Sequence, residues 1–325
     1  MNTISFPGLG FAINVNEIAF HVFGWPIHWY GIIIACGFLL ATAYCSWRAG
    51  NYGIKSDDLI DMLLYAVPLS IIGARIYYVI FYLDLYRRPD GSLDFGAMVR
   101  IWDGGLAIYG GIIMAVIVCL VFCKKRKLPF LALADLGACG LLIGQMIGRW
   151  GNFVNAEAFG GPTDLPWRMG LYAKAADGVL TYMEVHPTFL YESLWNLVGF
   201  LLLTLVVAKH RKFDGQVFFS YIGWYGLGRA WIEGLRTDSL YFFNTGLRVS
   251  QVLAIVSCAA AVIVLVVLYQ RAHGLLYVDR VKAETTRARL DARRDAAAEA
   301  QAENSAAVQP PEEGPEEKED HHDHS

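Results

Sequence analysis

Seven apolar stretches long enough to cross a bilayer follow one another along this 325-residue chain. A spanning helix needs about 20 mostly apolar residues, and the stretches that come close are 28–47, 58–83, 105–123, 129–153, 187–208, 215–235 and 250–269. Apolar residues make up 55% of the chain and charged residues 18%, which argues against a water-soluble fold. The sequence therefore predicts an all-α polytopic membrane protein with seven transmembrane helices.

Basic residues between the stretches set the expected orientation. Lys124 to Lys127 follow the third stretch, Lys209, Arg211 and Lys212 follow the fifth, and Arg271 follows the seventh. Lysine and arginine are enriched in cytoplasmic loops. We therefore expect a multi-pass protein of the cytoplasmic membrane, with the N-terminus outside and the C-terminus in the cytoplasm.

The charge balance separates a tail from the body of the chain. Residues 284–325 carry twelve acidic and five basic residues, a net charge of −7, so the body is near +4 although the whole chain is −3. The tail has few large apolar residues, which is typical of disorder. We predict an extracytoplasmic segment over 1–27, a seven-helix transmembrane domain over 28–270 and a cytoplasmic, partly helical but largely disordered tail over 271–325.

Polar side chains collect toward one face of the predicted bundle. In the expected orientation, six of the stretches place such groups toward the outer leaflet. They include Tyr30, Arg75, Tyr109, Arg149, Asn152, Asn155, Glu157, His186, Tyr225, Arg229, Glu233 and Arg236. Ionisable residues inside a membrane are costly, and they are functional candidates by default. This predicts a polar site at the outer-leaflet side.

The arginines predict the charge of whatever binds there. Arg149 stands with two amides and a carboxylate within nine residues, a set suited to an oxyanion and hydroxyl groups. Capping of a helix end explains the amides but not the arginine. Tyr225, Arg229 and Glu233 recur every four residues and share a helix face, where Arg229 and Glu233 are either a structural ion pair or part of a site. A phospholipid headgroup is the natural anion at this depth.

Motifs for nucleotides and metals are missing, and the six cysteines lie in apolar runs without a CxxC pair. We expect no metal, no cofactor and no nucleic-acid partner. The leading interpretation is an enzyme that uses a membrane lipid. The alternative is a seven-helix transporter or channel for an anionic solute, supported by Asp135 deep in the fourth stretch and by the mixed polar and apolar character of the second, fourth and sixth stretches.

One motif resembles a known family. The run from Gly148 to Gly160, GRWGNFVNAEAFG, is similar to the signature of bacterial prolipoprotein diacylglyceryl transferases. Segments that agree in order are His28 to Gly31, Gly73 to Tyr78, Trp102 to Leu106, His186 to Glu192 and Tyr225 to Arg236. The likeness covers roughly residues 20 to 270 and leaves the tail outside.

The resemblance implies a reaction and its partners. It implies transfer of a diacylglyceryl group from phosphatidylglycerol to the lipobox cysteine of a prolipoprotein that still carries its signal peptide, with release of glycerol phosphate. By this likeness Arg149 binds the lipid beside Asn152 and Glu157, Arg229 and Glu233 form a second essential pair, and Tyr30 is a site tyrosine.

Tyr109 departs from the pattern, because some family members have a histidine there that is assigned as general base. A thiol with a pKa near 8.5 needs a base or an electropositive surrounding at pH 7. Three alternatives stay open: Glu157 or Glu233 takes the proton, the arginines favour the thiolate directly, or Tyr109 only orients the lipid. His186 is a further candidate base, although a structural role before Pro187 explains it equally well.

Overall fold

The computed structural model describes residues 2–174, 180–236, 248–271 and 276–307. Long helices occupy all seven apolar stretches, and a short helix, α3 (Phe95–Val99), lies between the second and third of them. The long helices are α1 (Trp29–Arg48), α2 (Ser56–Phe81), α4 (Ile108–Arg126), α5 (Phe130–Val154), α6 (Thr188–Leu202), α7 (Gln216–Ile232) and α8 (Val249–Arg271). The predicted positions are therefore confirmed to within a few residues.

Six helices in the described part of the chain are long and apolar enough to cross a membrane. Helix α6 continues through a π-helical turn at Leu203–Val207, which gives a span of 20 residues. The helix over the sixth stretch, α7, has only 17 residues before a 3-10 turn at Glu233–Leu235. It packs against α5, α6 and α8. The class of polytopic helical membrane protein is confirmed, whereas the predicted count of seven spans is not.

Small residues let the helices approach closely. Gly73 on α2 and Gly110 on α4 face each other, and a Cβ added to Gly110 would lie 2.4 Å from the Gly73 carbonyl oxygen. Such contacts are typical of helix pairs in membranes, where the hydrophobic effect does not drive association. Gly110 is therefore explained by packing between α2 and α4.

Two tryptophans join α6 to α7. The indole Nε1 of Trp195 donates to the backbone carbonyl oxygen of Trp224 at 3.0 Å. In return, the indole Nε1 of Trp224 donates to the backbone carbonyl oxygen of Trp195, also at 3.0 Å. The rings stack with centroids 4.4 Å apart. Gly228 and Gly199 make room for the two indoles, because a Cβ at either position would lie within 2.3 Å of an indole nitrogen. We call this arrangement the indole pair.

Asp135 caps another helix. It is fully buried, and its carboxylate accepts hydrogen bonds of 2.8 Å from the backbone N–H groups of Gly215 and Phe218 at the start of α7. The first N–H groups of a helix have no partner within it, and a carboxylate there also interacts favourably with the helix dipole. Asp135 therefore has a structural role, which removes one of the two supports for the transporter alternative.

A β-sheet that the sequence analysis did not predict packs at the end of α5 and α6. The strands are β1 (Asn2–Phe6), β2 (Phe11–Val15), β3 (Ile18–Val22), β4 (Trp25–His28), β5 (Met169–Lys174) and β6 (Leu180–Val185). Antiparallel pairing gives one sheet in the order β2-β1-β5-β6 and a separate β3-β4 hairpin. Ile4, Met169 and Val185 are buried and cluster with Phe189 of α6. The sheet is an addition to the helical bundle, and the all-α polytopic membrane class still fits the chain.

The chain divides into two compact units, Met1–Asp279 and Arg280–Ser325. The first contains the sheet and the seven long helices. A ninth helix, α9 (Tyr277–Ala307), begins within the first unit, and its residues 280–307 are the described part of the second. Residues 308–325, with the acidic run and the final histidines, lie outside the described residues.

Candidate active site

One buried carboxylate, that of Glu192, lies among three arginines. Its side chain is 4% exposed on the first turns of α6. Glu192 Oε2 lies 2.8 Å from Arg149 Nη2, and Oε1 lies 3.1 Å from Arg229 Nη1 and 3.7 Å from Arg236 Nη1. Because α5 and α7 end where α6 begins, all four residues meet at the same end of the bundle. We call these four residues, together with Glu233, the arginine cluster.

Glu233 completes the cluster from the end of α7. Its Oε2 accepts a hydrogen bond from Arg229 Nη2, four residues earlier on the same face. Its Oε1 accepts a hydrogen bond of 2.6 Å from Ser250 Oγ on α8. Three guanidinium groups and two carboxylates leave the cluster with a formal charge of +1. Arginines that are only partly neutralised favour an anion.

The motif that begins in the last turns of α5 extends the cluster toward the surface. Arg149 Nη1 donates to Asn152 Oδ1 at 3.2 Å, and Asn152 Nδ2 donates to Glu157 Oε1 at 2.9 Å. Asn155 Nδ2 donates to the same Glu157 oxygen at 3.4 Å. Glu157 is exposed, and its Oε2 accepts no hydrogen bond from the described residues. The structure therefore places an accessible carboxylate oxygen at the open side of the site.

Backbone in this motif is held in an unusual conformation. Ala156 and Ala158 have φ values of 51° and 57°, which residues with a Cβ adopt rarely. Hydrogen bonds hold the segment in place: Thr188 Oγ1 donates to the Ala158 carbonyl, and Gly160 N donates to the His186 carbonyl. Strained residues persist where the surroundings determine them, often at functional sites.

His186 and Tyr225 flank the cluster. The His186 ring is 3.3 Å from the Tyr191 hydroxyl, and burial lowers the pKa of the imidazole. Tyr225 lines a small void with Glu192 and Arg229. Its volume is about 10 Å³, roughly enough for one water. A phosphate therefore has no room in this void.

Tyr30 and Tyr109 have different surroundings. Tyr30, on the first turn of α1, packs its ring over Gly151, where an added Cβ would lie 2.7 Å from the ring. This places Tyr30 beside the Arg149 motif. Tyr109 is 48% exposed at the start of α4, and its hydroxyl makes no hydrogen bond to any described residue. The structure thus does not connect Tyr109 with the arginine cluster.

Arg75 is held by backbone carbonyl groups. Nε donates to Met98 O, Nη1 donates to Gly104 O and Gly105 O, and Nη2 donates to Ala97 O and Arg100 O, all at 2.6–2.9 Å. A guanidinium group has five N–H donors, so none is left for a substrate. We therefore revise the prediction that Arg75 binds substrate. It fixes the segment between α3 and α4.

Glu192 is the member of the cluster that the sequence analysis did not select. A signal for it was present, because an acidic residue inside an apolar stretch is a functional candidate. The glutamate was included in the matching segment His186 to Glu192, but helix periodicity cannot show that arginines from α5 and from the end of α7 converge on it.

Fold and site together define a polytopic membrane protein with a buried arginine cluster at one end of its helix bundle. Comparison with known proteins identifies the family. The chain belongs to the prolipoprotein diacylglyceryl transferase family, whose model matches residues 17–267. The match includes every residue of the arginine cluster and omits β1, β2 and α9.

Individual relatives agree with the family match. A protein of Finegoldia magna named phosphatidylglycerol--prolipoprotein diacylglyceryl transferase is 47% identical over 249 residues, covering 77% of this chain and 94% of the relative. Proteins of the same name from Lactiplantibacillus plantarum and Bacillus velezensis are 44% and 40% identical, covering 74% and 83% of this chain and 85% and 97% of the relatives. The recognition made from the Arg149 motif is confirmed.

Proposed function

We propose that this protein transfers the diacylglyceryl group of phosphatidylglycerol to the thiol of a lipobox cysteine in a prolipoprotein, releasing glycerol phosphate. The observation that carries the proposal is the convergence of Arg149, Arg229 and Arg236 on the single carboxylate of Glu192 in a chain of this family. The names of the relatives support the lipid and the protein substrate. The lipobox cysteine is proposed as the acceptor of the diacylglyceryl group because of the likeness to the family.

Charge supports a phosphodiester as the ligand. The arginine cluster has a formal charge of +1, and the phosphate of phosphatidylglycerol carries one negative charge. In the reaction the thiolate sulfur forms a bond to the glycerol carbon, and the bond from that carbon to the phosphate oxygen breaks. Its electron pair leaves with glycerol phosphate, which gains negative charge. Fixed arginines stabilise that charge as it develops.

The thiol proton has a candidate acceptor in Glu157. Glu233 already accepts hydrogen bonds from Arg229 and Ser250. Glu157 is exposed and keeps Oε2 available, while Asn152 and Asn155 orient its other oxygen. We assign Glu157 as the general base, since a base must reach the proton that it removes. Arg149 and its neighbours then lower the cost of forming the thiolate.

The remaining candidates receive supporting roles in this proposal. Tyr30 borders the lipid beside Gly151, Tyr225 lies against the inner side of Arg229, and His186 supports the backbone at Gly160. Tyr109 orients the lipid from an exposed position, and Arg75 positions the segment that leads to Tyr109.

Orientation and organisation complete the proposal. The basic loops after α4 and α6 support an N-terminus outside the cell and a cytoplasmic C-terminus, with the arginine cluster at the outer leaflet. The seventh span is α7, and the domains are an extracytoplasmic segment over 1–27, a catalytic bundle over 28–270 and a cytoplasmic tail over 271–325.

The direct test mixes purified protein in detergent with phosphatidylglycerol and a lipobox peptide. We expect diacylglyceryl peptide and glycerol phosphate in equal amounts, measured by mass spectrometry. A peptide with serine in place of the lipobox cysteine is the matched control and should give neither product. The proposal fails if the cysteine peptide also gives neither product under conditions in which the relative from Finegoldia magna is active.

A further inference from the structure

Gln145 lies one helical turn before Arg149 on α5 and carries an amide that is satisfied at one end only. Its Nε2 is 2.8 Å from the Tyr221 hydroxyl on α7. Its Oε1 is buried and has no hydrogen-bond partner among the described residues. Buried polar groups in folded proteins nearly always have a partner, and leaving one unsatisfied costs free energy. The free end of this amide therefore points to a group supplied from outside the chain.

The position of Gln145 relates it to the arginine cluster. Arg149 is five residues from the last residue of α5 and Gln145 is nine. Four residues of α-helix span about 6 Å, so Gln145 lies about 6 Å deeper in the bundle. On α7, Tyr221 stacks on Tyr225, with centroids 5.9 Å apart, and Tyr225 is one turn before Arg229. The polar face thus continues inward from the cluster.

The chemistry of the lipid defines what reaches this depth. In phosphatidylglycerol the ester carbonyl oxygens are a few bonds from the phosphorus, on the acyl side. If the arginine cluster holds the phosphate, the ester groups lie one step further into the membrane. They are acceptors only. In the structure the Gln145 NH₂ group donates to the Tyr221 hydroxyl. A tyrosine hydroxyl donates as readily as it accepts, so when the amide is turned by about 180° Tyr221 donates to the amide oxygen, and the NH₂ group takes the position at which Oε1 has no partner among the described residues.

We propose that Gln145, oriented by Tyr221, donates a hydrogen bond to an ester carbonyl of the diacylglyceryl group and so selects diester lipids over diether lipids. The inference rests on the proposed function and extends it to the part of the lipid that is transferred. The proposal differs from a packing role for Gln145, because packing does not distinguish a carbonyl group from a methylene group.

The experiment is a competition between diacyl phosphatidylglycerol and its dialkyl ether analogue, which has the same headgroup and chain length but no ester carbonyls. The two lipidated peptides are separated by mass. We expect the wild-type protein to prefer the diester lipid by about tenfold in kcat/KM, the size of effect of one buried hydrogen bond. Gln145→Met, which keeps the length of the side chain, should lower this ratio to about one.

Two further variants make the test specific. Gln270→Met makes the same change at an exposed position next to the last residue of α8, far from the start of the helix where Ser250 contacts the cluster. This variant should retain the tenfold preference. Tyr221→Phe keeps the ring stack but releases the amide, and it should give a ratio between those of the wild type and Gln145→Met. All variants are checked by size-exclusion chromatography. If Gln145→Met does not fold, the Tyr221→Phe ratio decides the question.

An unchanged ratio in a folded Gln145→Met or, failing that, in Tyr221→Phe would overturn the ester contact and indicate that water satisfies the amide. A wild-type ratio near one would overturn it as well. Absence of product from the wild type with both lipids would instead overturn the proposed function, and the ester contact with it.

Discussion

Replacing Glu192 by glutamine tests the arginine cluster with little change in shape. The substitution Glu192→Gln removes the central negative charge and raises the formal charge of the cluster from +1 to +2. The glutamine side chain retains one acceptor oxygen, while its NH₂ group faces a guanidinium group. We expect lower stability and a loss of transfer activity of at least about 100-fold, because Arg149 and Arg229 lose the carboxylate that holds them together.

The size of the stability effect follows from the contacts. At an effective dielectric constant of about 20, each of the pairs at 2.8 and 3.1 Å contributes roughly 5–6 kcal/mol of attraction. Desolvation and repulsion between the arginines offset much of this gain. Removing one partner of a buried pair lowers the free energy of unfolding by about 3–5 kcal/mol. Because glutamine retains one acceptor oxygen, we expect a loss of about 3 kcal/mol for Glu192→Gln. That loss corresponds to a Tm lower by roughly 6–12 °C.

The assay combines thermal unfolding in detergent with the transfer reaction. Glu184→Gln is the matched control, because Glu184 pairs with Arg168 at a position where the carboxylate is 34% exposed. Exposed pairs contribute at most about 1 kcal/mol, so this variant should melt near the wild type and remain active. A Glu192→Gln protein with the wild-type Tm and turnover would refute the idea that Glu192 organises the arginines.

Four other predictions concern single residues. Arg149→Lys should lower turnover at least about 100-fold, because lysine cannot contact Asn152 and Glu192 together; comparable turnover in Arg149→Lys and wild type would exclude Arg149 from the site. Tyr109→Phe should lower turnover by less than about tenfold, and complete loss at unchanged lipid binding would favour direct proton transfer by the hydroxyl. Asp135→Asn should lower the free energy of unfolding by about 1–2 kcal/mol but leave turnover per folded molecule within about twofold of the wild type. A large loss of turnover at wild-type stability would indicate that Asp135 acts in the reaction. Burial lowers the pKa of His186 below its unfolded value, so protonation favours unfolding. Tm should therefore fall as the pH drops below about 6.5. The decrease in Tm should be smaller in His186→Asn, and equal decreases in the variant and the wild type would assign the pH dependence to other groups.

Hydropathy predicted the helices well, because each spanning helix must satisfy its backbone within itself. The predicted stretch 129–153 and the observed Phe130–Val154 differ by one residue at each end. The β-sheet was missed for the opposite reason. Strand β1 pairs with β5 through Ser5 and Gly170, and no local pattern reports a pairing between residues so far apart.

The site was predicted as a set of residues but not as a geometry. Residues on one helix, such as Arg229 and Glu233, were correctly expected to share a face. Arg75 shows where such reasoning stops: its partners are backbone carbonyl groups, which every residue has and no sequence pattern identifies. Glu192 is the opposite case, because its importance comes from three arginines that only the fold brings together.

The indole pair has a consequence for how substrates and products exchange. Two reciprocal hydrogen bonds and a stacked contact make α6 and α7 a single rigid wall behind Glu192 and Arg229. A lipid that enters and a lipidated protein that leaves need an opening between helices. That opening cannot form between α6 and α7 without breaking both hydrogen bonds, so exchange of lipid and product through this interface is disfavoured.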